Sequence, residues 1–150
     1  MQVAAAIPGA ERRRVVGPAD AALRAARTCY DHLAGRLGVA IADAMVDREL
    51  IELGEDSGAL TAAGAKFLRN LGIDLAAGPA GARPSSRIFC RPCLDWSERR
   101  VHVAGRVGAA LCSHSLAAGW VRRIEGSRAL TMTPAGRGAL AQSFGVDLAG

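Results

Sequence analysis

His32-Leu33-Ala34-Gly35-Arg36-Leu37-Gly38 returns seventy residues later as His102-Val103-Ala104-Gly105-Arg106-Val107-Gly108. Two shorter echoes flank it. Cys29-Tyr30-Asp31 returns as Cys93-Leu94-Asp95 at an offset of 64, and Gly72-Ile73-Asp74-Leu75-Ala76 as Gly145-Val146-Asp147-Leu148-Ala149 at an offset of 73. A long-period echo of this kind outranks any local reading, because it says the chain is built twice from one unit. A unit of this size buries too little surface to be stable alone. The expectation is therefore two halves packed about a pseudo-twofold, sharing one core. Each copy brings a Cys, an Asp and a His in the same order.

Working outward from the repeat, the local signals give the same plan in each copy. Pro18 suits the first position of a helix. Leu33, Leu37, Ile41 and Met45 recur every four residues, which predicts one face of a long amphipathic helix running to about Arg48, with Cys29 and His32 one turn apart on it. Leu50–Leu53 and Ala59-Leu60 predict two strands around the turn Gly54-Glu55-Asp56-Ser57-Gly58. Thr61 is placed to cap a closing helix to about Leu71. In the second copy Asp95-Trp96-Ser97-Glu98 has the spacing of a capping box. Val103, Val107 and Leu111 then predict the face of a long helix ending near Gly119. Trp120–Ile124 and Arg128–Met132 predict strands around Glu125-Gly126-Ser127, and Thr133-Pro134 opens a last helix that ends by Gly145.

Each copy thus reads as helix, β-hairpin, helix, the latter part of a winged helix. The expected fold class is α+β, mostly α: tandem duplicated winged-helix-like modules. Residues 1–17 read as a flexible lead-in too short to hold a helix-turn-helix. A single duplicated domain is expected over 18–149, with repeat one over about 18–77, a Gly/Pro/Ser-rich linker over about 78–87 and repeat two over about 88–149.

Half of the 150 residues are apolar and only 4% are aromatic, which predicts a core of small aliphatic side chains. No apolar run approaches the roughly 18 residues of a membrane span, and the N-terminus lacks the basic start of a signal peptide, so a cytoplasmic protein is expected. The net charge is +5, and Lys66 is the single lysine among 19 basic residues. This balance favours polyanionic partners without specifying one. Arg122, Arg123 and Arg128 fall on the wing of the second copy, where a winged helix touches a phosphate backbone, so they are the candidate nucleic-acid contacts. The first wing, Glu52 through Asp56, is acidic and would repel DNA.

The four cysteines (Cys29, Cys90, Cys93 and Cys112) lack a secretory context and are expected to be thiols. Convergence of Cys29, His32, Cys93 and His102 at the pseudo-twofold would assemble two thiolates and two imidazoles, a suitable tetrahedral set for zinc, with Cys90 as a substitute ligand. Two other readings stay open. Cys29 and Cys93 could be small buried residues of a ligand-free dimerisation scaffold, or Cys90 and Cys93 could form a thiol-redox pair. Asp31 and Asp95 fit capping or the orientation of a histidine. No enzymatic constellation stands out.

The runs from Ala25 to Gly38 and from Cys90 to Arg100 resemble the C-terminal portion of a subset of bacterial ArsR-type winged helix-turn-helix transcriptional regulators. Thr131-Met132-Thr133-Pro134-Ala135-Gly136-Arg137 is similar to the segment after the wing in many winged-helix regulators. The resemblance covers about residues 17–149. It implies an effector or dimerisation domain of a transcriptional regulator, a homodimer, and DNA as the partner of the longer protein. The Cys-Val-Cys metal motif of arsenic sensors does not occur here.

Overall fold

The computed structural model describes residues 18–73, 75 and 90–148, so the expected lead-in and linker lie outside the described residues. The first half runs α1 (Pro18–Ala25), β1 (Arg27–Cys29), β2 (His32–Ala34), α2 (Gly35–Asp47), β3 (Ile51–Leu53), β4 (Gly58–Leu60) and α3 (Ala62–Asn70). Among the described residues the second half follows the same order from its first strand on: β5 (Arg91–Leu94), β6 (Val101–Ala104), α4 (Gly105–Ala117), β7 (Val121–Arg123), β8 (Leu130–Met132) and α5 (Pro134–Phe144). The fold is α+β, and the described strands form four separate two-stranded antiparallel hairpins. The helix, wing and trailing helix of each half are those of a winged-helix-like module. The caps are as read from the sequence: the Thr61 and Thr133 hydroxyls accept from Gly64 N–H and Gly136 N–H at 2.9 and 2.8 Å.

The structure corrects the start of each half. Cys29 and His32 lie on no helix; they are the terminal pair of the β1–β2 hairpin, facing each other across the two-residue turn Tyr30-Asp31. Cys93 and His102 face each other in the same way on β5–β6. Tyr30 holds a left-handed φ of 61°, which reverses the chain. Leu33 and Val103 match the helical spacing because each strand turns straight into its helix through a glycine, Gly35 or Gly105, at φ 77° or 79°. A residue with a side chain is strained there. The strand residue and the helix face then meet the same core. The Asp95 motif does bind backbone N–H groups as a cap would, but no helix follows it. Arg99, at φ 61°, closes a hairpin loop in which Asp95 N–H donates to the Arg100 carbonyl at 2.7 Å. That loop supplies the six residues by which the two echo offsets, 64 and 70, differ.

The halves pack reciprocally. α2 lies against β6 of the second half, and α4 against β2 of the first. Gly38 and Gly108 allow this. A Cβ on Gly38 would run into the Leu33 carbonyl and stand 3.3 Å from His102 Cβ; one on Gly108 would meet the Val103 carbonyl and stand 3.1 Å from His32 Cβ. Each wing also docks on the other half's hairpin, the first through β4 against β5. For the second, Arg27 bridges to Ala129, Thr28 N–H donates to the Arg128 carbonyl at 2.9 Å, and Leu130 N–H donates to the Ala26 carbonyl at 2.9 Å. One buried cluster draws Leu37, Ile41 and Met45 from α2, Leu68 from α3, Val107 and Leu111 from α4, and Leu140 and Phe144 from α5. Among the described residues no helix is long and apolar enough to cross a membrane.

Candidate metal centre

The β1–β2 and β5–β6 hairpins meet through β2 and β6. The His32 and His102 rings are 4.8 Å apart between centroids. One ligand atom from each of Cys29, His32, Cys93 and His102 lies within 4.8 Å of the other three. The sequence-predicted donors are therefore brought together, two from each repeat. The histidines form the buried side of the set, at 3% and 1% exposure, and the two cysteines the half-buried side. An open cleft of about 490 Å³ reaches the cysteines between Tyr30 and Arg91.

Each histidine is oriented by the aspartate of its own repeat. Asp95 Oδ2 stands 3.0 Å from His102 Nδ1, and Asp31 Oδ1 stands 3.3 Å from His32 Nδ1. Burial, followed by the neighbouring His32, lowers the His102 pKa to about 4, against the opposing pull of Asp95. His102 is therefore neutral at pH 7. With its proton on Nδ1 toward the Asp95 carboxylate, its Nε2 carries a lone pair aimed into the cluster. That Nε2 is buried and has no hydrogen-bond partner. A buried polar atom left without a partner costs free energy; a metal ion would satisfy it. A carboxylate on the far nitrogen is the usual support of a metal-bound imidazole.

Asp95 is itself held from several sides. Its carboxylate accepts from Arg27 Nη2 at 3.0 Å, Gly35 N–H at 2.6 Å, Ser97 N–H at 3.0 Å, Ser97 Oγ at 2.8 Å and Glu98 N–H at 3.1 Å. Burial alone would raise its pKa, but these donors outweigh it and hold the carboxyl below the usual carboxylate range. Arg27 is 1% exposed, donates to the Leu23 carbonyl and Ser97 Oγ, and lies 4.2 Å from the centroid of the Trp96 ring. Sequence reasoning missed Arg27. Its signal was present: Arg27-Thr28-Cys29-Tyr30-Asp31 and Arg91-Pro92-Cys93-Leu94-Asp95 share the pattern Arg-x-Cys-x-Asp.

The remaining candidates lie apart from this cluster. Cys90 is fully buried beneath the first wing, where a side chain on Gly58 would meet its sulfur at 3.4 Å, and burial raises its pKa to about 11. It is not among the four clustered donors, and Cys93 has Cys29 as its neighbour rather than Cys90. Burial, reinforced by Cys29, raises the Cys93 pKa. Cys112 is buried in α4, and His114 packs edge-on against Trp120 at 4.9 Å. Arg122, Arg123 and Arg128 are all exposed on the second wing, and Glu52, Glu55 and Asp56 are exposed on the first.

No protein-family model matches the chain, and no solved structure matches it. Over 126 residues the chain is 38% identical to the protein named "Uncharacterized HTH-type transcriptional regulator YdfF" of Bacillus subtilis (strain 168). The match takes in 84% of this chain and 54% of that protein, so the chain spans about half the length of the curated relative it matches. By sequence, then, this duplicated winged-helix-like fold is similar to a segment of a protein named as a helix-turn-helix transcriptional regulator.

Proposed function

We propose that this chain is the effector segment of a transcriptional regulator of ArsR type, and that its effector is a thiophilic divalent ion of the zinc class. The ligands are Cys29 and Cys93 through sulfur and His32 and His102 through nitrogen. The observation that carries this reading is the convergence of the four donors across the repeat axis, with the buried Nε2 of His102 lacking any other partner. Two thiolates and two imidazoles suit tetrahedral zinc at metal–ligand distances of about 2.0–2.3 Å. The ion would tie one hairpin of each repeat to the other, so the two repeats act as one domain and the ion sets their relative position.

DNA contact belongs to the longer regulator or to the second wing, where Arg122, Arg123 and Arg128 are exposed and the first wing's acidic residues are not interleaved with them. Homodimerisation, which the resemblance implies, and a cytoplasmic setting accompany this reading. No reaction is assigned to the chain.

The test is metal analysis of the reduced, purified protein, paired with thermal melting before and after zinc addition. About one ion per chain and a raised melting temperature are expected, with both lost in Cys29→Ser/Cys93→Ser. A metal-free wild type whose melting ignores zinc would sink the reading.

A further inference from the structure

Cys29 and Cys93 come from different repeats, yet their sulfurs lie within 4.8 Å of each other. Both border the cleft between Tyr30 and Arg91; His32 lines it too but is only 3% exposed, and His102 does not reach it. The other two thiols, Cys90 and Cys112, are 0% and 4% exposed, so a small solute reaches the Cys29–Cys93 pair first. We propose that Cys29 and Cys93 form an oxidation site for a small hydroperoxide, closing to a disulfide that joins the two repeats. One thiolate attacks a peroxide oxygen; the O–O bond breaks, hydroxide leaves, and that sulfur becomes a sulfenic acid. The second thiolate attacks the sulfenic sulfur, the S–O bond breaks, and a second hydroxide leaves. Each cysteine sulfur has then lost one electron, hydrogen peroxide has gained two, and two protons convert the hydroxides to water.

The geometry favours this pair over any other. A disulfide needs its sulfurs about 2.05 Å apart and its Cβ atoms about 3.5–4.5 Å apart. Cys29 and Cys93 sit on neighbouring hairpins with their sulfurs within 4.8 Å, so closure is a short approach of two side chains. The consequence for regulation rests on the metal reading given above. The same two sulfurs are ion ligands there, so the ion and the disulfide exclude each other, and oxidation ejects the ion while keeping the repeats tied.

The full chain, reduced and then either stripped by a chelator or loaded with zinc, is treated with hydrogen peroxide. Its thiols are counted by alkylation and its disulfides mapped by mass spectrometry. Free thiols are expected to fall from four to two, with Cys29 linked to Cys93 and a loss of two hydrogens. The zinc-loaded form is expected to react severalfold more slowly and to release its ion to a chromogenic chelator as it does. In Cys93→Ser the Cys29 sulfenic acid is expected to persist and be trapped by a dimedone-type reagent. Disulfide formation at one rate with and without zinc keeps the oxidation site and overturns the metal reading. Absence of a Cys29–Cys93 link in both forms, with the thiols unreacted or carried on to sulfinic acid, overturns this inference.

Discussion

The Asp95 carboxylate is fully buried and accepts hydrogen bonds from side chains or backbone of Arg27, Gly35, Ser97 and Glu98 while facing Nδ1 of His102. Asp95→Asn keeps the shape and removes the charge, leaving the Arg27 guanidinium buried without its counter-ion. Breaking a buried pair from one side costs about 3–5 kcal/mol, and a urea titration of the variant is expected to show a loss of that order. Zinc affinity, measured by competition with a chromogenic chelator, is expected to fall by about 10–100-fold, the usual effect of removing a carboxylate behind a metal-bound histidine. His102 makes stability depend on pH. Its pKa falls from 6.5 in the unfolded chain to about 4 in the folded one. Between those values the unfolded chain takes up a proton that the native state refuses, so stability drops as pH falls from 6.5 toward 4. The slope approaches about 1.4 kcal/mol per pH unit for one group. Replacing His102 by Gln should flatten the metal-free stability curve over that interval. The four clustered donors were legible because they recur; Arg27 recurs too, as Arg91, but its pairing with Asp95 of the other repeat is visible only in the structure.

At the level of elements, the wings, their strands and their caps follow from turn residues and threonine spacing, and they appear within a residue or two of where those signals put them. The leading hairpins do not. A three-residue strand feeding a helix through a left-handed glycine leaves an apolar spacing, Leu33-Leu37-Ile41-Met45, indistinguishable from a continuous helix face. Gly38 and Gly108 mark where helix and opposite hairpin touch. Gly38→Ala and Gly108→Ala must each push away a strand carbonyl and the opposing histidine. Each is expected to destabilise by about 1–3 kcal/mol, the usual range for overpacking, and by similar amounts because the sites are pseudo-equivalent; chemical denaturation checks both. The two wings differ in charge rather than in shape. If the second wing meets DNA, Arg122→Glu/Arg123→Glu/Arg128→Glu weakens binding to duplexes of any sequence. It also flattens the dependence of log K on log salt by about 0.9 for each phosphate that the wing no longer neutralises. Fluorescence anisotropy across a salt series reads both effects; an unchanged slope removes these arginines from the interface.

For the whole molecule, the repeat in the sequence anticipated two copies of one unit, and the structure adds that their contacts are exchanged. Each long helix rests on the other copy's hairpin, each wing docks beside the other copy's first strand, and Arg48 beyond α2 donates to the Ser143 carbonyl of α5 at 2.7 Å. Sequence patterning cannot show this, because an exchanged contact and a contact within one copy bury the same residues. Unfolding is expected to be a single transition, with far- and near-ultraviolet circular dichroism melting together, since neither half keeps a core without the other.

The exchanged packing also bears on how the halves hold together. Helix-on-foreign-hairpin contacts made in both directions have the pattern of an isologous interface between two like units. A chain cut between its two halves should therefore stay together as two interlocked pieces through gel filtration. The six-residue extension around Asp95 is where the two halves are not interchangeable: it holds the carboxylate behind His102 with five hydrogen bonds, whereas Asp31, in a two-residue turn, stands 3.3 Å from His32.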